Sequence, residues 1–222
     1  MARIIDSSAS IQSREIVINS TLKNTYMLLA MTLLFSAAMA GLSMAMNWPY
    51  FGIIPTLIGY FGLLFLTSKF SNSALGLLFV FALTGFMGAT LGPILSLYIT
   101  QLPNGGNVVM TAMAATGLIF VALSAYVIVT GKRFSFMGGM LMTGILVAFL
   151  LGLGAIFFQI PALSMAVSAM FVLLMSALIL YQTGEIVHGG ETNYIMATVT
   201  LFVSLFNLFT SLLHLLGIFG DE

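Results

Sequence analysis

From Tyr26 onward the chain reads as long apolar runs divided by short clusters of Gly, Pro, Asn and charged residues. The runs are continuous rather than alternating, so they predict helices and not barrel strands. Each is about as long as the roughly 20 residues a helix needs to cross a hydrocarbon core. Seven spans are expected: Tyr26–Met46, Pro49–Thr67, Ala74–Thr100, Val108–Thr130, Met137–Phe158, Ala162–Gln182 and Tyr194–Gly217. The fold class is therefore an all-α integral membrane protein, a seven-transmembrane-helix bundle. A polar N-terminal tail, residues 1–25, precedes it and is expected to be flexible; a short C-terminal tail, 218–222, follows the membrane domain of residues 26–217.

The breaks have local causes. Asn47-Trp48-Pro49 divides the first two spans, with Pro49 suited to a first helical position, and Pro161 does the same for span six. Leu102-Pro103-Asn104-Gly105-Gly106 is a turn cluster. Gly189-Gly190 lets the chain leave span six, and Thr192 or Asn193 can cap span seven. Gly92-Pro93 lies inside the long third span and predicts a kink or a broken helix. Ala38-Met39-Ala40 resembles a signal-peptidase site, but the polar leader is long for a signal peptide and the segment is read as a span.

Composition supports a lipid solvent: 60% of residues are hydrophobic and 5% charged, against about 25% charged in a soluble domain. The few charges set a topology. Arg3, Arg14 and Lys23 precede span one, Lys69 follows span two, and Lys132 and Arg133 follow span four, all on one side of a seven-span bundle. The opposite loops, around Asn47, Gln101 and Gln159, carry no basic residue. Basic loops stay inside, so the N-terminus is expected in the cytoplasm and the C-terminus outside.

Candidate chemistry is sparse. With no cysteine, thiol catalysis, disulfides and cysteine metal sites are excluded. His188 and His214 are too few for a histidine metal cluster. No H-E-x-x-H or G-x-S-x-G motif occurs, the last span has no lysine, and no acid lies deep in a span. The expectation is no enzyme, no cofactor, no metal and no nucleic-acid partner. Small residues recur at four-residue spacing: Ala37, Gly41, Ala45; Gly88, Gly92; Gly144, Ala148, Gly152. They serve close helix packing within the bundle or a self-association face. Ser204 and Asn207 share a face of span seven and Gln182 ends span six; these are interhelical hydrogen-bonding groups or the lining of a water-filled cavity. His214 reads as a hydrogen-bonded interface residue rather than a proton shuttle, and His188 as a solvated loop residue.

Two stretches carry a family resemblance. Gly85-Phe86-Met87-Gly88-Ala89-Thr90-Leu91-Gly92-Pro93-Ile94-Leu95-Ser96 resembles the span-three signature of the BAX inhibitor-1, or transmembrane BAX inhibitor motif, family. Tyr181-Gln182-Thr183, His188-Gly189-Gly190-Glu191-Thr192-Asn193-Tyr194 and Ser204-Leu205-Phe206-Asn207-Leu208-Phe209 resemble its last two helices, and the H-G-G-E-T-N loop is most similar to the bacterial YccA-type branch.

That branch implies a bacterial inner-membrane modulator of the FtsH membrane protease, both a slow substrate and an inhibitor, working with FtsH and its HflK/HflC scaffold among membrane lipids. The resemblance makes the cytosolic tail the part FtsH grips, with Arg3, Asp6, Arg14, Glu15 and Lys23 as candidate contacts; an inert leader is the alternative. A second family activity is a pH-dependent calcium leak, in which two aspartates on spans six and seven share a proton. The matching positions here are Gln182 and Ser204, neither of which ionises, so the sensor is not implied. Glu185, one turn beyond Gln182, is a candidate substitute without an acidic partner on span seven. A cation leak or exchanger with altered pH sensing is the alternative function, and a small-molecule transporter a weaker third.

Overall fold

A computed structural model describes the backbone of residues 2–219 and the side chains of residues 18–218. Its helices are α1 (Ala2–Ala45), α2 (Ile53–Phe70), α3 (Ala74–Gln101), α4 (Gly105–Thr130), α5 (Gly138–Phe157), α6 (Pro161–Val187) and α7 (Tyr194–Phe219), with a 3-10 turn at Ser135–Met137 before α5. Among the described residues seven segments are long and apolar enough to cross a membrane, the first being Ile18–Ala45 within α1. α7 lies at the centre, packed against α1, α3, α4 and α6. α2 leans on α3 and α5 on α6, and both turn most of their surface outward. The core joins Leu28 and Leu29 of α1, Leu83 and Met87 of α3, Met175 and Ile179 of α6, and Phe202, Leu205 and Leu208 of α7.

Several expected boundaries move. α1 is continuous from Ala2, so the compositional border at Thr25 is not a break in the helix. Asn47 closes the first loop with φ 50°, a left-handed conformation that asparagine tolerates. Pro49 is not the first residue of α2; the helix starts at Ile53, after Gly52 turns the chain with φ 79°. Pro55 takes the first-turn place instead, where no amide hydrogen is needed. The turn after α3 is shorter than expected, because α4 begins at Gly105. A Cβ on Gly105 would collide with the Tyr98 carbonyl oxygen, so only glycine permits that tight return. α6 runs to Val187, past Gln182, which puts Gln182 and Glu185 inside a helix. Pro161 starts α6 as expected, and Asn193 caps α7 through Oδ1, which accepts from the amides of Ile195 and Met196 at 2.9 and 3.1 Å.

Of the kink or break expected at Gly92-Pro93, the break is absent: α3 runs unbroken through Pro93. Proline has no amide hydrogen, so the carbonyl four residues back, that of Ala89, loses its helical donor. Ser43 of α1 supplies one, its Oγ donating to the Ala89 oxygen at 2.8 Å. Within a bilayer a freed carbonyl needs such a neighbour, and a serine on the adjacent helix provides it. The same seam is closed by glycine. A Cβ on Gly88 would strike the Ser36 carbonyl oxygen, and one on Gly92 would lie 2.6 Å from the Ser43 Cβ. Gly88 and Gly92 therefore serve packing between α1 and α3. Ala37, Gly41 and Ala45 do not: they are exposed, and α1 meets α3 through Ser36, Ala40 and Ser43 instead.

Candidate functional site

Polar groups collect where the N-terminal end of the α1 span meets α6 and α7. α6 and α7 form an antiparallel hairpin, and α1 crosses its closed end. Thr21 Oγ1 donates to the Thr192 carbonyl oxygen at 3.3 Å, in the loop that joins the hairpin. The Tyr26 hydroxyl pairs with Thr183 Oγ1 at 3.3 Å, and its ring leans on Phe120 of α4. Thr198 Oγ1 lies 3.2 Å from the Thr25 carbonyl oxygen and 2.7 Å from the Tyr194 carbonyl oxygen, its one hydrogen shared between them. Among the described residues, three buried side-chain atoms of this end have no protein partner: Thr25 Oγ1, Ser124 Oγ on α4 and Gln182 Nε2 on α6. Satisfying hydroxyls by back-bonding within a helix is the general solution elsewhere in the bundle, as at Thr67, Thr116 and Ser176.

Gln182 and Ser204 are both buried but make no hydrogen bond to each other. Ser204 Oγ donates to the Thr200 oxygen at 2.7 Å and Asn207 Nδ2 to the Val203 oxygen at 2.8 Å. Both bonds stay within α7, so these residues do not bond across helices as one sequence reading has it. Glu185 is part-buried and sits beside the loop after α6. Gly190 presses on its carboxylate so closely that a Cβ there would overlap Glu185 Oε2.

The His-Gly-Gly-Glu loop is more tightly built than a solvated loop. His188 is not simply solvated: Nδ1 lies 2.8 Å from the Gly184 oxygen and Nε2 2.9 Å from the Gly131 oxygen. The ring thereby ties the end of α6 to the end of α4, where Gly131 adopts φ 61°. Gly189 turns out of α6 with φ 72°, and Glu191 Oε1 accepts from the Asn193 amide at 2.7 Å. Asn193 Nδ2 reaches Ser71 and Asn72 in the α2–α3 loop, at 3.2 and 2.9 Å. Beside this loop a hydrogen bond to the Tyr126 hydroxyl holds the exposed Lys132 ammonium above its usual pKa.

Of the tail residues singled out in the sequence, Lys23 is exposed on α1. The side chains of Arg3, Asp6, Arg14 and Glu15 lie outside the described residues. His214 matches its expectation as a hydrogen-bonded interface residue: Nδ1 lies 2.9 Å from Ser168 Oγ on α6. Ser168 itself was not legible, since a lone serine in an apolar run carries no signal.

Fold and polar groups together define a seven-span helical membrane protein whose α1, α6 and α7 converge, with the α6–α7 loop, on one polar end. The family described as "Inhibitor of apoptosis-promoting Bax1" matches residues 18–221. The chain belongs to this BAX inhibitor family. It is 53% identical to an uncharacterized Pseudomonas aeruginosa protein, covering 97% of this chain and 96% of that one. It is 48% identical to a protein of Escherichia coli K12 named "Modulator of FtsH protease YccA", covering 98% of each chain. An Escherichia coli O6:H1 protein at the same identity and coverage is named "Inner membrane protein YccA".

Proposed function

We propose that this chain is a multi-pass inner-membrane modulator of the FtsH protease, engaged through its N-terminal tail. The observation that carries the reading is the 48% identity, over 98% of both chains, to the Escherichia coli protein named for that role. The placement of Lys and Arg supports a cytoplasmic N-terminus and a periplasmic C-terminus, which puts the tail within reach of a cytosolic protease. α1 is one helix from Ala2 to Ala45, so a pull on the tail acts directly on the first span. That span is held against α3 by Gly88, Gly92 and the Ser43–Ala89 bond, a physical reason for slow extraction. In this reading the chain is not an enzyme. It occupies FtsH, with HflK/HflC as part of the same assembly, and so spares other substrates.

The test is purification in a mild detergent from cells that contain FtsH. FtsH is expected to co-purify with the full chain and to be lost when residues 2–20 are deleted. A full chain that brings down no FtsH, and that leaves degradation of a known FtsH substrate unchanged when overproduced, contradicts the reading. The alternative, a calcium or cation leak, draws support only from family membership. Reconstituted vesicles decide it: calcium flux that depends on the protein is required, and Gln182→Asp with Ser204→Asp should then steepen its pH dependence.

A further inference from the structure

A second polar region lies at the other end of the α6–α7 hairpin, away from the tail. A cleft of about 240 Å³ opens between α5, α6 and α7. Gly152 and Ala155 of α5 keep one wall low, and the polar lining comes from Ser164 and Ser168 of α6 with Asn207, Thr210 and Ser211 of α7. Ser168 is braced from behind by the His214 bond. Thr210 is satisfied within α7, donating to the Phe206 oxygen at 3.0 Å. Asn207 spends its Nδ2 on its own helix, leaving Oδ1 for the cleft. Among the described residues no protein partner is recorded for that oxygen or for the hydroxyls of Ser164 and Ser211. Ser211 is more than nine-tenths buried, so its hydroxyl faces the cleft rather than bulk solvent.

Depth makes these groups unusual. Ser164 is one turn from the start of α6, but Asn207 is roughly 18 Å from the end of α7 at about 1.5 Å per residue. Polar groups that far into a bilayer need a partner, since hydrocarbon offers none. No Asp, Glu, Lys or Arg lines the cleft, so no side chain there would balance the charge of an ion. Hydroxyls and an amide both donate and accept, which matches a neutral molecule that does the same. The volume lies below the roughly 300–1,000 Å³ of drug-sized sites, so the molecule is small.

We propose that the cleft between α5, α6 and α7 is a water-filled binding site for a small uncharged hydroxyl-bearing molecule, open to the side of the membrane at which α7 ends. The hydroxyls could come from a soluble polyol or from the headgroup of a lipid. This site is independent of the FtsH reading, and neither stands or falls with the other.

The cysteine-free chain allows a direct test on the full protein. Single variants Ser211→Cys, Ser164→Cys, Gln159→Cys in the loop and Val121→Cys on the outward face of α4 are reconstituted in phosphatidylcholine vesicles. Each is exposed on both faces to a charged, membrane-impermeant methanethiosulfonate. Only variants that unfold at the parent temperature are scored, and Ser164→Cys reports the opposite wall if Ser211→Cys fails that check. The cleft cysteine should react at a rate comparable to Gln159→Cys, with Val121→Cys inert. Glycerol should slow the cleft cysteine several-fold and leave Gln159→Cys unchanged; slowing only in phosphatidylglycerol vesicles assigns the source to a lipid headgroup. A cleft cysteine as inert as Val121→Cys overturns the proposal, as does a reactive one that neither glycerol nor phosphatidylglycerol slows.

Discussion

The two ends of the α1 span are held in different ways. Its N-terminal end is tied to α6, α7 and their loop by hydroxyl bonds of 3.2 and 3.3 Å, at the long limit for such bonds, and Thr25 Oγ1 there has no partner among the described residues. Its C-terminal half lies on α3 with backbone near backbone, closed by a 2.8 Å bond to the carbonyl that Pro93 frees. In lipid there is no hydrophobic force between helices, so close packing and such bonds decide association. The end nearest the tail is therefore the weaker joint and the α3 seam the stronger. A force applied at the N-terminus would loosen the first before it meets the second.

Gly88→Leu is the strongest way to break this contrast. Its side chain has no room against the Ser36 backbone, and overpacking of this kind costs about 2–3 kcal/mol. A lower unfolding temperature and a shorter half-life in cells are expected. Ser43→Ala comes next. It strands the buried Ala89 oxygen, at about 1–2 kcal/mol in detergent unfolding. Adding Pro93→Ala returns an amide hydrogen to that oxygen, so the double variant should recover most of the loss. A Ser43→Ala penalty that Pro93→Ala leaves untouched would show that the bond is not what matters. Tyr26→Phe removes one long bond and keeps the ring contact with Phe120, so a loss of about 0.5 kcal/mol is expected. Gly41→Ala should cost nothing, because an added Cβ there meets open space and alanine is the better helix former. Measurable destabilisation by Gly41→Ala would mean that the outward face of α1 is occupied after all.

The spans were legible because each apolar run is long and unbroken, a signal that survives ignorance of the packing. Pro161 was legible, and the α7 cap to within Thr192 or Asn193, because caps act within a few residues. Pro49 misled for the same reason: the residue that permits α2 to start is Gly52, and its φ is not written in composition. The outcome at Pro93 depends on Ser43, on another helix, so no local rule could foresee an unbroken α3. Two glycine and alanine stripes look alike in sequence, yet Gly88 and Gly92 are used while Ala37, Gly41 and Ala45 face outward. Which stripe meets a neighbour is set by helix rotation, a tertiary property. The loop motif pointed to the right segment but not to the way His188 joins α4 to α6. Of the cleft only Asn207 was legible, as a candidate lining of a water-filled cavity; its serines are scattered over two helices, each unremarkable alone.

The most direct test of a modulator held by its tail is a pulse-chase half-life in cells containing FtsH, comparing the full chain with one lacking residues 2–20. The shortened chain is expected to persist markedly longer, and the difference to vanish when FtsH is depleted. Equal half-lives with and without those residues, in cells where FtsH is active, would contradict an N-terminal grip.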